Sequence, residues 1–354
     1  MTDEKKPLPV AKPPRLRVLV GLLAIIIIVI AGRSIWQQVP TALPEVGQAV
    51  GSGSKSARRA PSFDMSQATI PTKRIRRGGP PKDGIPSLTD AKFVSADHAQ
   101  FLAPEDRVIG VAFAGEAKAY PLKILDYHEA VNDRLGNQAF AVTYCPLCDS
   151  SAVFERRYGD ELLEFGISGL LFNSNVLLYD RAKQGPESLW SQMAAAAVTS
   201  AKSGQRLQRL PLEVTTWSDW ATRHPQSVVL STDTGHNRNY QRGAYESYFS
   251  TPDLMFPVSP IDNRLPPKTP VLGVSNKKAQ RAYALPNFAW KQGGEFEDEL
   301  DGKSITLHFD PEHNSLRVVQ APEDVEWMYS FWFAWSAFYP ETDIYGSTPE
   351  QAAK

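Results

Sequence analysis

The sequence predicts an α+β, mainly β protein built from two related, unequal β-rich halves that follow an N-terminal transmembrane helix. Three observations carry this expectation: an uncharged apolar run near the N-terminus, an internal repeat, and short alternating runs separated by turn residues. At 42% hydrophobic and 22% charged, a chain of 354 residues is globular and long enough for two domains. Its 38 basic and 39 acidic side chains leave a net charge of −1, which offers phosphate no overall attraction, so nucleic acid is not an expected partner.

The apolar run is VLVGLLAIIIIVIAG, residues 18–32, preceded by Lys5, Lys6, Lys12, Arg15 and Arg17. Its length suits either a signal-peptide core or a short membrane span. Ile35 and Trp36 extend the apolar surface past Arg33, which can snorkel, and no small-x-small cleavage site follows immediately. An uncleaved single anchor is therefore expected, with 1–17 in the cytoplasm, 18–36 in the inner membrane and the main domain in the periplasm. Residues 37–84 are rich in Pro, Gly, Ser and Ala, carry scattered Lys and Arg without apolar periodicity, and read as a basic linker.

Beyond the linker the chain repeats itself. VIGVAFAGEAKAYPL (108–122) matches VLGVSNKKAQRAYAL (271–285), and NDRLGNQAFAVTY (132–144) resembles EDELDGKSITLHF (297–309). TWSDWATRHPQSVVL (216–230) then matches FWFAWSAFYPETDIY (331–345) at a shorter offset, so the first copy is about 50 residues longer. The expected organisation is a first half at 85–230, a connection at 231–270 and a second half at 271–354. VIGVAF and AKAYPL around Gly115 read as a hairpin, and AFAVTY and SITLHF as strands after a turn. Each W-x2-W segment reads as a short helix, capped in the first copy by Thr216 or Ser218 and ended by Pro225 or Pro340. The tryptophans are expected as core anchors.

The two cysteines of the chain stand together in TYCPLCDSSAVFER, residues 143–156. Aligning the halves sets Cys145, Pro146 and Cys148 opposite Asp310, Pro311 and His313, so this loop does not need sulfur to form. Three readings of the pair stay open. A disulfide suits an oxidising compartment but closes too short a loop to remove much chain entropy. A redox turn of the thioredoxin type wants a helix after the second cysteine, whereas DSSAVFERRYGDELLEF reads as strand, turn, strand. A metal site uses two thiolates as soft ligands, for copper or zinc, and needs a further partner; His128 in LDYHEAVND is the candidate.

The additional residues of the first copy follow the cysteines. FGISGLLFNSNVLLYDRAKQGPESLWSQ reads as buried strands holding NSN and YDR as turns at one end of a sheet. It supplies a candidate polar pocket, with Asp180 as base or acceptor, Arg181 for an anionic group, and Ser168, Asn173, Ser174, Trp190 and Gln192 as ligand-binding groups. Cys145 and Cys148 join Asp180 and Arg181 as candidate catalytic residues. No phosphate-binding glycine loop, nucleophile elbow or HExxH is present, and Asp149 rather than His follows CPLC, so haem attachment is not suggested.

With VIGV...AKAYPLKILDYHEAVND, VTYCPLCDSSAVF, FGISGLLFNSNVLLYDR, SLWSQ, WSDWATRHPQSVVL and FWFAWSAFYPETDIY in view, the chain resembles domain-of-unknown-function family 3179 over about 85–345. The resemblance implies membership of that family and no particular activity. Where G-x-A-x-x-G is expected after Trp-x-Gln, this chain has MAAAAVTSAKSG (193–204), which removes the ground for a glycine-dependent backbone contact there. The functional expectation is a membrane-anchored extracytoplasmic protein with a metal or redox site centred on CxxC. The alternative is a non-enzymatic binding or envelope-assembly module with a structural disulfide.

Overall fold

The repeated alternating runs form two hairpins that are built alike. Strands β1 (Arg107–Phe113) and β2 (Glu116–Pro121) pair antiparallel across Gly115, whose φ of 80° suits a glycine in the turn. A single helical turn, α1 (Leu122–Leu125), leads into β3 (Ala130–Leu135), β4 (Gln138–Cys145) and β5 (Ser150–Glu155). The inserted stretch forms β6 (Phe165–Phe172), β7 (Asn175–Asp180) and β8 (Leu189–Ser191). It is followed by β9 (Glu213–Thr216), α2 (Trp217–Arg223) and β10 (Val228–Leu230). Between 231 and 269 the only helix is the four-residue α3 (Glu246–Phe249). The second half runs β11 (Pro270–Ser275), β12 (Gln280–Ala284), β13 (Gly294–Leu300), β14 (Lys303–Asp310), β15 (Ser315–Gln320), β16 (Glu326–Phe331), α4 (Trp332–Phe338) and β17 (Asp343–Ile344). The protein is mainly β. This computed structural model describes residues 63–113, 115–288 and 292–346.

The expected tryptophan helices are both present. Thr216 caps α2 by accepting from the Asp219 N–H, whereas Phe331 gives α4 no side-chain cap. Trp220 lies on Gly110 of β1, and Trp335 lies on Gly273 of β11; a Cβ at either glycine would sit 2.1 or 2.2 Å from the indole. Trp220 Nε1 donates to Ser227 Oγ and Trp335 Nε1 to Thr342 Oγ1, each at 2.9 Å. The same likeness extends to buried polar pairs. Asp133 accepts from Tyr120 OH and Lys118, and Asp298 accepts from Tyr283 OH and Arg281.

The halves do not form separate bodies. One sheet runs β3-β4-β5-β16-β11-β12-β17, so β5 of the first half joins β16 of the second, with Ser151 opposite Tyr329. A second sheet is built on β9-β1-β2-β10, and β15 lies against β9 across the halves. The insert forms its own sheet, β6-β7-β8, edged by Arg76–Arg77.

That edge revises the linker expected at 37–84. Its last part is folded onto the domain: Arg76–Arg77 pair with β6, and Phe63, Met65, Ile70 and Ile75 pack on a cluster containing Phe172 and Tyr179. Four apolar side chains in an otherwise polar stretch are enough to dock it, although they follow no helical or strand period. The chain divides into Met1–Arg58 and Arg59–Lys354. The expected cytoplasmic N-terminus, membrane anchor and the linker up to residue 62 lie outside the described residues. Among the described residues no helix is long and apolar enough to cross a membrane.

Candidate functional site

The CPLC loop closes the β4-β5 hairpin. Cys145 pairs with Ser150 across the ladder, and four residues turn between them, with Asp149 at a φ of 45°. A strand follows the second cysteine, so the loop does not lead into a helix N-terminus. Both cysteines are free thiols, and each is at most 1% exposed.

Their polar surroundings come from the insert. Asn175, the first residue of β7, donates from Nδ2 to Cys148 Sγ (3.2 Å), Ser150 Oγ (3.1 Å) and Gln192 Oε1 (2.7 Å). Ser150 Oγ lies 3.2 Å from Cys148 Sγ and donates to Gln192 Oε1 at 2.5 Å. Gln192 Nε2 donates to Thr143 Oγ1 and the Ser150 carbonyl. The Asn175 amide carries two N–H groups for these three acceptors, so its bond to sulfur is shared with those to Ser150 and Gln192.

This splits the two thiols. Burial, the largest influence on both, pushes Cys145 well up, aided by Cys148 and by the Glu129 charge. Cys148 lies below the usual thiol range: hydrogen bonds from Cys145, Ser150 and Asn175 together outweigh burial. The pair is therefore asymmetric: the proton is held more tightly at Cys145 than at Cys148.

Glu129 adds a buried carboxyl to this corner. Its φ is 56°, uncommon for a residue with a Cβ, and its carbonyl accepts from the Tyr144 N–H at 2.8 Å, beside Cys145. Burial, then the charges of Cys148 and Asp126, raise its pKa to about 8. On the loop's other side Asp149 accepts from Arg107 Nη1 (3.0 and 3.1 Å) and Tyr144 OH (2.9 Å). A cavity of about 360 Å³ opens there, lined by Arg107, Asp149, Thr216, His313 and Ser330 among others, but by neither cysteine.

The structure gathers some of the expected residues and disperses others. Gln192 touches the network directly, and the Ser174 carbonyl lies 3.9 Å from Cys145 Sγ. Asn173 and Ser174 form the two-residue β6-β7 turn, both at positive φ, and Asn173 exchanges hydrogen bonds with the Ser259 backbone. Ser168 sits at a β6 bulge, accepting from the Leu170 N–H and donating to the Leu177 carbonyl. Trp190 is a core residue edge-on to Phe165 and Tyr158.

NSN and YDR stand at opposite ends of β7, not at one end of a sheet. At about 3.3 Å per residue, Asp180 lies roughly 17 Å along the strand from Asn175. Asp180 binds the Ser188 N–H and Lys202, while Arg181 is paired to Glu164 and Asp83, so both are engaged in holding the insert. His128 is fully buried, but its ring nitrogens meet the Pro86 carbonyl (2.8 Å) and Tyr240 OH (2.6 Å). Burial lowers its pKa to about 4, keeping it neutral.

Among the described residues one group of His, Cys, Asp and Glu brings three ligand atoms within 4.8 Å of one another: Asp219, Asp310 and His313. Asp219 there is paired with Arg223 at 2.6 Å and bound by Thr215, and Asp310 holds His313 Nδ1 at 2.8 Å. Cys145, Cys148 and His128 do not converge in this way.

The profile of the family described as Protein of unknown function (DUF3179) matches residues 82–326, more than half of the chain. The chain belongs to this family. No curated protein and no solved structure matches it. The DUF3179 match takes in the CPLC loop, Glu129, Asn175 and Gln192, but ends at the start of β16. Sequence reading missed Asn175, Ser150, Thr143 and Glu129 as neighbours of the thiols. Asn175 belongs to the NSN turn already singled out, and Glu129 follows His128, so both had a sequence signal; Ser150 and Thr143 look like ordinary strand residues.

Proposed function

We propose that the CPLC loop is a dithiol site for a soft metal ion, copper or zinc, in a protein anchored in the inner membrane with this domain on the periplasmic side. The observation that carries the reading is the Asn175 amide donating to Cys148 Sγ inside the protein. An amide donor on a buried sulfur favours the thiolate, which is the form that binds metal. Cys145 supplies the second sulfur, releasing its proton as the ion binds. Burial favours a small ion over a protein disulfide as the species that meets these sulfurs.

A second consideration points the same way. The β14-β15 hairpin pairs Asp310 with Ser315 as β4-β5 pairs Cys145 with Ser150, and Asn314 has a φ of 44° where Asp149 has 45°. We read the halves as products of a duplication, supported by the matched tryptophan, glycine and aspartate contacts. The same loop then closes with Asp310 and His313, which leaves sulfur in the first copy to serve chemistry.

The test is metal content by mass spectrometry beside a free-thiol count, on the full chain extracted from membranes. About one equivalent of copper or zinc, lost in the Cys145→Ser, Cys148→Ser double variant, is the expected outcome. No metal together with no free thiol would sink this reading and leave a disulfide-bearing binding module.

A further inference from the structure

The thiols are closed off by residues 231–269, a long irregular segment. Leu254, Phe256, Val258 and Leu265 from it pack on the cluster that contains both cysteines. Its α3 sits at the loop itself: Tyr248 OH donates to the Leu147 carbonyl at 2.8 Å, between the two cysteines. Burial above all raises the pKa values of Tyr245 and Tyr248, with the charges of Glu129 and Cys145 adding at Tyr245 and those of Cys148 and Cys145 at Tyr248. Connections of this length without regular structure are uncommon in a folded domain and usually serve a function.

The attachment of this segment is unlike that of the sheets. Among the described residues no backbone-to-backbone hydrogen bond joins 232–265 to the rest of the fold, the Pro266 carbonyl accepting only from the neighbouring Thr269 N–H. Its bonds to the body run through side chains and gather near its two ends, with Lys268 also holding the Tyr248 and Thr251 carbonyls. At the near end three consecutive residues of one motif hold it: Asp126 accepts from the Ala244 N–H (3.1 Å), Tyr127 OH donates to the Arg242 carbonyl (3.0 Å), and His128 meets Tyr240 OH. At the far end Asn173 binds Ser259, and Trp332 Nε1 donates to the Asp262 carbonyl (3.0 Å). Between these anchors, Tyr248 on Leu147 is the hydrogen bond to the CPLC loop. A segment without ladder bonds can separate from the body while the sheets stay intact.

We propose that residues 232–266 are a hinged strap over the dithiol, anchored by the Asp126-Tyr127-His128 motif and by Asn173, and latched by Tyr248 on the Leu147 carbonyl. Lifting α3 gives a small soft ion or thiol reagent access to Cys145 and Cys148. This assigns His128 to the strap's anchor instead of to the metal. The inference takes the dithiol as the functional centre proposed above, but its test reads thiol access, so absence of metal would leave it standing.

The test uses the full chain, reduced and treated with chelator, pulse-labelled with N-ethylmaleimide and read by peptide mass spectrometry. Losing one hydrogen bond in Tyr248→Phe should speed labelling of the cysteines about three- to tenfold, because labelling tracks the open population. Hydrogen exchange in the same samples should show strap amides exchanging well before β4 and β5. Equal labelling rates in Tyr248→Phe and wild type would overturn the strap. So would cysteine labelling that keeps pace with exchange of the sheet amides, since the thiols would then be exposed by global unfolding alone.

Discussion

Asn175 and Glu129 set the chemistry of the cysteine corner. Replacing Asn175 with Ala removes a donor that favours the Cys148 thiolate over its thiol, an interaction of about 1.5–3 kcal/mol when the sulfur is charged, so the pH midpoint of Cys148 alkylation should rise by about one unit or more. An unmoved midpoint would show that this amide does not stabilise the thiolate. Glu129 acts on stability in the metal-free protein. Its folded pKa of about 8 lies above the ordinary 4.5, so the folded state holds a proton that the unfolded state releases between those values. Its contribution is most favourable below pH 4.5 and becomes a growing cost as pH rises to about 8. Glu129→Gln should therefore match wild type in thermal unfolding near pH 4 and exceed it near pH 9, by on the order of a few kcal/mol. A pH-independent difference between the two proteins would contradict this.

At the scale of elements, each hairpin of the repeated type is held by an indole laid on a glycine. Gly110→Ala and Gly273→Ala would each drive a methyl into a ring that sits fully in the core. Overpacking of this sort costs about 1–3 kcal/mol. The two variants should lower the urea midpoint by similar amounts, and a large asymmetry would argue against equivalent roles for the hairpins. The signal was legible: VIGV and VLGV align glycine with glycine, and both W-x2-W runs read as helices with core tryptophans. That indole and glycine meet was not legible, because about 110 residues separate Gly110 from Trp220 and about 60 separate Gly273 from Trp335.

For the whole molecule, the two halves expected from the sequence are not separate folding units. β5 needs β16, and β9 lies against β15, so each half completes the other. Fragments 63–231 and 270–346 should each lack dispersed amide signals in NMR when made alone, and should recover them when combined. A folded first fragment by itself would show that the shared sheet is dispensable. The docked residues 63–77 belong to this unit as well, so truncation after residue 84 should destabilise the insert sheet.

Local physics determined the elements. Period-two runs, turn glycines and Thr216 before an apolar helix act within a few residues, and the two repeated hairpins, the AFAVTY and SITLHF strands and both tryptophan helices followed from them. The tight placement of two cysteines around Pro-Leu also marked the candidate site without a structure. Which side chains surround those sulfurs was decided by tertiary pairing alone. A β-strand carries residues about 3.3 Å apart in a line, so Asn175 and Asp180, five apart, serve opposite ends of the sheet. His128, one residue from Glu129, turns to Tyr240 rather than to sulfur because the strap crosses there. Sequence proximity held for the loop, where the chain turns back on itself, and failed along extended strands, where neighbours in space come from distant parts of the chain.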